Sequence, residues 1–273
     1  MNSLLEKIKP FCSDLKLIKK GGQKEVYSSR HSTYGDTVIK VGNYSSSVSI
    51  ERISREVQLQ KAINSKYYPK NFDFIIDINS KEFLIIEEYI DSFSFEDAKH
   101  FFNSEKKIVG LLEHLIEGLK VIWDQNIIHR DLKPDNILFI KDYSPVIIDL
   151  GIARFLDYET LTNPMAFYGP CTPIYAAPEQ LANQKNLIDM RTDFFALGII
   201  ILELHLGFHP FHPDKVGTNE HIVENIQEGN YVDPQNIKNT SDAFEALIIK
   251  LLKKEPFKRF RHYSQILNFL KSM

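Results

Sequence analysis

His129-Arg130-Asp131-Leu132-Lys133-Pro134-Asp135-Asn136 is the stretch on which the reading of this chain turns. It lies between a long helical pattern and a short apolar run, so the sequence places it on a loop. Three of its side chains complement one another: a carboxylate that can accept a hydroxyl proton, a cation, and an amide whose oxygen can ligate a metal. Phosphoryl transfer needs an acceptor for the nucleophile's proton, positive charge near the moving phosphate and a metal ligand. Asp131, Lys133 and Asn136 provide all three. Thirteen residues after Asn136, the run Val146-Ile147-Ile148 ends in Asp149-Leu150-Gly151. A carboxylate at a strand end there suits a Mg²⁺ ion bridging phosphates better than it suits burial.

Working outward, Ser104 to Asp124 carries Ile108, Leu111, Leu112, Leu115, Ile116, Leu119, Ile122 and Trp123 at spacings of three and four, one apolar stripe of a helix behind a Ser-x-x-Lys start. Short strands are expected at Ile137 to Ile140 and Val146 to Ile148. Helices are expected around Asp193 to Leu206, Glu220 to Gln227, Ser241 to Lys254 and His262 to Leu270. The first ninety residues read differently. Glu25 to Tyr27, Thr37 to Val41, Phe72 to Ile78 and Phe83 to Ile90 are β-branched or aromatic runs, interrupted by one helix over Ser49 to Asn64. This contrast predicts an α+β, bilobal chain with a small strand-rich lobe (1–90), a larger helical lobe (91–273) and a cleft between them.

Composition narrows the function. The chain has 273 residues, 43% of them apolar, so one catalytic domain with nothing appended is expected. Its 33 Lys and Arg against 36 Asp and Glu leave a net charge of −3, so no global attraction to nucleic acid or anionic lipid is expected. Cys12 and Cys171 match neither a disulfide framework nor zinc-ligand spacing. The amino terminus reads as a short amphipathic helix without a signal-peptide core, and no apolar run reaches the roughly 20 residues of a membrane span. These features predict a cytoplasmic protein.

With these motifs in view, the chain resembles the eukaryotic-type protein kinase family over essentially all its length. The resemblance implies a serine/threonine kinase acting on protein substrates, with ATP as phosphate donor and Mg²⁺ as metal; no motif specifies an activating partner. Position by position, Asp131 is similar to the catalytic base, Lys133 to the lysine typical of serine/threonine kinases, and Asn136 and Asp149 to the metal ligands. Leu150 stands where Phe is usual. Lys40, in Val38-Ile39-Lys40, resembles the lysine that binds the α- and β-phosphates. Glu51 and Glu56 both lie on the helix over Ser49 to Asn64 as candidate anionic partners, and the family pattern favours Glu56. Gln60, four residues on, replaces a usual apolar residue.

Aligning Val26 with the valine of the phosphate-covering loop leaves only Gly21, followed by Gly22, of three expected glycines; Lys19 and Lys24 take the other two positions. Glu88-Tyr89-Ile90 resembles the hinge whose backbone binds adenine, and the gatekeeper before it is Glu87 or, with a one-residue slip, Ile86. Cys171 to Glu179 resembles the substrate-docking end of the activation segment, in which Thr172 would contact Asp131 and Lys133. Glu179 would pair with Arg259, while Asp193 and Gly198 match the central helix, with Phe195 in the Trp position. In the family an arginine before the catalytic aspartate marks a segment ordered by a phosphate, so Arg130 with Arg154 implies one on Thr160 or Thr162, ahead of Tyr158 and Tyr168; the alternative is that both arginines pair with acidic residues such as Asp157 or Glu159. The rival metal set His205, His209 and His212 is broken by Gly207 and Pro210.

Overall fold

A computed structural model of the chain describes residues 3–20, 24–150, 154, 155, 172–234, 237 and 240–273. The chain divides into two compact units, Met1–Asp91 and Ser92–Met273.

The first unit opens with helix α1 (Ser3–Ile8) and continues through strands β1 (Cys12–Lys20), β2 (Lys24–His31) and β3 (Gly35–Asn43), helix α2 (Ser47–Ala62), and strands β4 (Asn71–Asp77) and β5 (Glu82–Glu88). The strands form one antiparallel sheet in the order β1-β2-β3-β5-β4. Because side chains alternate along a strand, β3 and β5 offer a separate apolar set to each face. Ile39, Val41, Leu84 and Ile86 pack against Leu4, Leu5 and Ile8 of α1. Phe83 and Ile85 pack on the opposite face against Val57, Ile50 and Ile53 of α2. The expected amino-terminal helix is therefore part of the core. Its opening turn is held from a distance: the Glu82 carboxylate accepts from Ser3 N at 3.0 Å, Leu4 N at 3.0 Å and Ser3 Oγ at 2.6 Å. Burial opposes the charge on Glu82, yet these bonds hold its carboxyl below the usual range.

The second unit contains α3 (Phe95–Ala98), α4 (Glu105–Trp123), β6 (Ile127–Ile128), β7 (Ile137–Phe139), β8 (Pro145–Ile147), β9 (Arg154–Phe155), α5 (Pro178–Leu181), α6 (Met190–Leu206), α7 (Pro213–Val216), α8 (Ile222–Glu228), α9 (Asp242–Leu251) and α10 (Tyr263–Leu270). Every residue of the stripe read from Ile108 to Trp123 is buried. Ser104 takes the N-cap position without a side-chain capping bond. Helix α6 is apolar on nearly all sides and sits in the core, where Gly198 is close to α9: a Cβ there would meet Leu252 Cδ2 at 2.8 Å and Leu251 Cβ at 3.0 Å. Gly207 ends α6 in the left-handed conformation at φ 78°, so the three histidines do not share a helix face. They take separate partners: His205 meets Thr240 Oγ1, His209 meets Ile174 O, and His212 faces Asp214. Among the described residues, no helix is long and apolar enough to cross a membrane.

Glu179 and Arg259 form the expected ion pair, with Nη1 2.7 Å from Oε1 and Nη2 2.9 Å from Oε2. The carbonyls of Lys253, Lys254 and Arg191 take the other guanidinium bonds, and the group lies 4.8 Å from the Phe195 ring centroid. Arg259→Met would leave the Glu179 charge buried without its guanidinium. A loss of about 3–5 kcal/mol is expected, read as a lower urea midpoint of unfolding, with a smaller loss for Glu179→Gln.

Candidate active site

In the second unit the site is organised from below by Asp193, in the first turn of α6. Its buried carboxylate accepts from Trp123 Nε1 at 2.8 Å, His129 N at 3.0 Å and Arg130 N at 2.9 Å. Two consecutive amides drawn to one carboxylate turn the chain sharply, and Arg130 adopts φ 69°. A non-glycine residue held there costs about 1–3 kcal/mol, which the charge-assisted bonds offset. Burial pushes the His129 imidazole below its ordinary pKa and keeps it neutral, so Nδ1 can accept from Asp131 N at 3.3 Å.

Asp131, Lys133, Asn136 and Thr172 meet on this platform. Lys133 Nζ lies 3.0 Å from Asp131 Oδ2, and Asn136 Nδ2 donates to Asp131 O at 2.8 Å and to Oδ2 at 3.2 Å. Thr172 donates to Oδ1 from its backbone N at 2.9 Å and from its hydroxyl at 2.7 Å, while Lys133 donates to that same hydroxyl. Asp131 thus accepts a hydroxyl proton in a hydrogen bond with an ammonium beside it.

The β7–β8 hairpin fixes the backbone that leads to the second carboxylate, Asp149. Ile148 N donates to Asn136 O at 2.9 Å, and the next residue, Asp149, turns at φ 66°. Leu150 is buried, as an apolar packing residue should be. The donor set fits a divalent cation: with Asn136 Nδ2 committed to Asp131, the amide oxygen is its remaining ligand atom. That oxygen and the Asp149 carboxylate are both hard donors of the kind Mg²⁺ takes.

Sequence reasoning missed several supports of this loop and of the segment that follows Thr172. Gln180 Nε2 donates to Arg130 O at 2.9 Å, and Tyr175 OH donates to Glu203 Oε2 at 2.8 Å. His209 Nε2 meets Ile174 O at 2.9 Å; burial pushes its pKa down to about 4, so it bonds as a neutral ring. Tyr175 belongs to a segment already singled out, but nothing local marks Glu203 or His209 as its neighbours.

In the first unit, Val26 pairs directly with Lys40 across β2 and β3, and Lys40 pairs with Ile85 across β3 and β5. Lys40 binds Glu87, with Nζ 2.9 Å from Oε1 and 2.8 Å from Oε2. Glu87 therefore lies on the Lys40 face, whereas Ile86 points to the α1 face. Glu51 is exposed, and Glu56 lies on α2 with its side chain outside the described residues, as is that of Arg154. Gln60 is buried and accepts from Asn71 Nδ2 at 3.3 Å, so its polar end is accommodated. In the hinge stretch, Glu88 N donates to Lys70 O and Tyr89 N to Asp36 O, and Ile90 follows β5. Gly21, Gly22, Cys171, Thr160 and Thr162 lie outside the described residues.

A family model described as the protein kinase domain matches residues 13–269. The chain is 29% identical over 238 residues to calcium-dependent protein kinase 5 of Plasmodium berghei, covering 80% of this chain and 40% of that protein. It is 28% identical over 254 residues to the serine/threonine-protein kinase TIO of Arabidopsis thaliana, covering 90% of this chain and 18% of that protein. A probable serine/threonine-protein kinase of Clostridium perfringens is 28% identical over 230 residues, covering 82% and 32% respectively. The chain spans less than half the length of these curated relatives.

The Thr172 hydroxyl is the feature of this geometry most open to test. Thr172→Val keeps the shape and the backbone bond to Asp131 but removes the hydroxyl's bonds to Asp131 and Lys133, and a fall in turnover of about tenfold or more is expected. Thr172→Ser, which restores a hydroxyl, should recover most of it in a steady-state peptide phosphorylation assay.

Proposed function

The chain belongs to the protein kinase domain family, and from that premise we propose that it is a serine/threonine protein kinase, transferring the γ-phosphoryl group of ATP to hydroxyls of protein substrates. The observation that carries this reading is the Asp131–Thr172–Lys133 arrangement, in which a threonine hydroxyl donates to a carboxylate and accepts from an ammonium at once. A substrate hydroxyl presented to Asp131 would be aligned and relieved of its proton by the same carboxylate, while Lys133 supplies positive charge near the transferring group.

Asn136 and Asp149 would hold Mg²⁺, which when bound neutralises phosphate charge and fixes the orientation of the phosphates. The Asn136 bonds to Asp131 keep the base oriented from the same loop. Lys40 would bind the α- and β-phosphates, with Glu56 of α2 as a partner. Gly21, Gly22 and Val26 would cover the phosphates, and the backbone of Glu88, Tyr89 and Ile90 would meet adenine. Autophosphorylation on Thr160 or Thr162 belongs to the same reading: Arg130 and Arg154 are two cations to which a phosphate of charge near −2 could bind.

Incubation with radiolabelled ATP, Mg²⁺ and a generic protein substrate tests the assignment. Label is expected on serine and threonine, and Asp131→Ala and Asp149→Ala should each lower transfer by orders of magnitude with folding retained. The two variants should part in a binding assay, because only Asp149→Ala removes a metal ligand. Near-normal turnover in the Asp131 variant, or unchanged Mg²⁺-ATP affinity in the Asp149 variant, would overturn these roles. Mass spectrometry after ATP treatment should find phosphate on Thr160 or Thr162, and an unmodified segment with full activity would remove the autophosphorylation switch alone.

A further inference from the structure

Glu87 is an unusual neighbour for a phosphate-binding cation. Antiparallel pairing sets Lys40 opposite Ile85, and two residues further along β5 the side chain returns to the same face, which puts Glu87 diagonally across from Lys40. Both carboxylate oxygens reach Nζ, at 2.9 and 2.8 Å. Lys40 is 7% exposed and Glu87 3%, so water screens little of the attraction between them. An ammonium has three N–H donors, and Glu87 Oε1 accepts from it while Oε2 lies as close.

We propose that Glu87 sets the nucleotide affinity of this protein, its carboxylate being an internal counter-ion with which the phosphates of ATP compete for Lys40. The inference rests on the reading of Lys40 as a phosphate-binding residue. A phosphate approaching Lys40 meets an ammonium whose field is largely cancelled by a carboxylate under 3 Å away, and that carboxylate itself repels the anion. Binding therefore requires the ammonium to be shared or turned away from Glu87. A lysine permits this, because its ammonium is a compact charge on a flexible stem with rotatable donors. No covalent step is involved.

Glu87→Gln preserves the length and an acceptor oxygen while removing the charge. In calorimetric titrations of the full chain in EDTA, this variant is expected to bind ATP about tenfold more tightly, ADP more tightly by a smaller factor, and adenosine with unchanged affinity. The adenosine arm separates charge from shape, since a purely steric role for Glu87 would shift adenosine and ATP by the same factor. Lys40→Met should weaken ATP, and the Lys40→Met/Glu87→Gln double variant should bind ATP more weakly than Glu87→Gln alone. If Glu87→Gln does not fold, Glu87→Asp, which withdraws the charge by one methylene, should tighten ATP about threefold. ATP affinity unchanged or weakened in the folded Glu87 variant, or equal shifts for adenosine and ATP, would overturn the proposal with the role of Lys40 intact. Unchanged ATP affinity in Lys40→Met would instead remove the reading on which it rests.

Discussion

A single buried carboxylate, Asp193, holds the second unit's site in place. It joins the end of α4, through Trp123, to two successive amides of the loop that follows β6. A charge without bonding partners would be strongly disfavoured in an apolar core, so the three donors must stay where they are for α6 to remain buried. The strained turn at Arg130 is the consequence, and that turn aims Asp131 at Thr172 and Lys133. Gln180 ties the same turn to α5 through the Arg130 carbonyl. Loop geometry is in this way tied to the stability of the helical core.

Two buried ion pairs, Glu179–Arg259 and Glu87–Lys40, show how the choice of cation suits different ends. Arg259 presents a planar fork, and its bonds to Glu179 and three carbonyls fix it in one orientation against Phe195. Nothing in that arrangement can move without leaving several groups unsatisfied. Lys40 and Glu87 are a point charge and a carboxylate on adjacent strands, joined through a flexible stem. Such a pair can exchange partners without disturbing the sheet, because the register of β3 and β5 is carried by backbone bonds and by the apolar residues on both faces.

Much of the fold was legible wherever burial has a period. The stripe from Ile108 to Trp123 gave α4 to within a residue at each end, and the β-branched runs gave β2 to β5. Strand β1 was not singled out. Cys12–Lys20 is mostly exposed and lacks apolar alternation, so pairing with β2, rather than its own side chains, makes it a strand. The helices of α3, α5 and α7 are four residues long, too short for a period to appear.

Sequence alone located the groups that lie close together along the chain: the run from His129 to Asn136, the Asp149 turn and the conformational punctuation at Gly207. It also placed Thr172 beside Asp131 and Glu179 beside Arg259 through family likeness. Tertiary structure decided what depends on register and on contacts between distant segments. Glu87 rather than Ile86 shares a face with Lys40, because pairing Lys40 with Ile85 sets the parity of the whole strand. Glu82 serves α1 across nearly eighty residues, and Glu203 reaches Tyr175 from the body of α6. Periodicity in a sequence tells which side chains share a face of one element. It carries no information about which face of another element they meet, since that is settled only when the core closes and each buried polar group must find a partner.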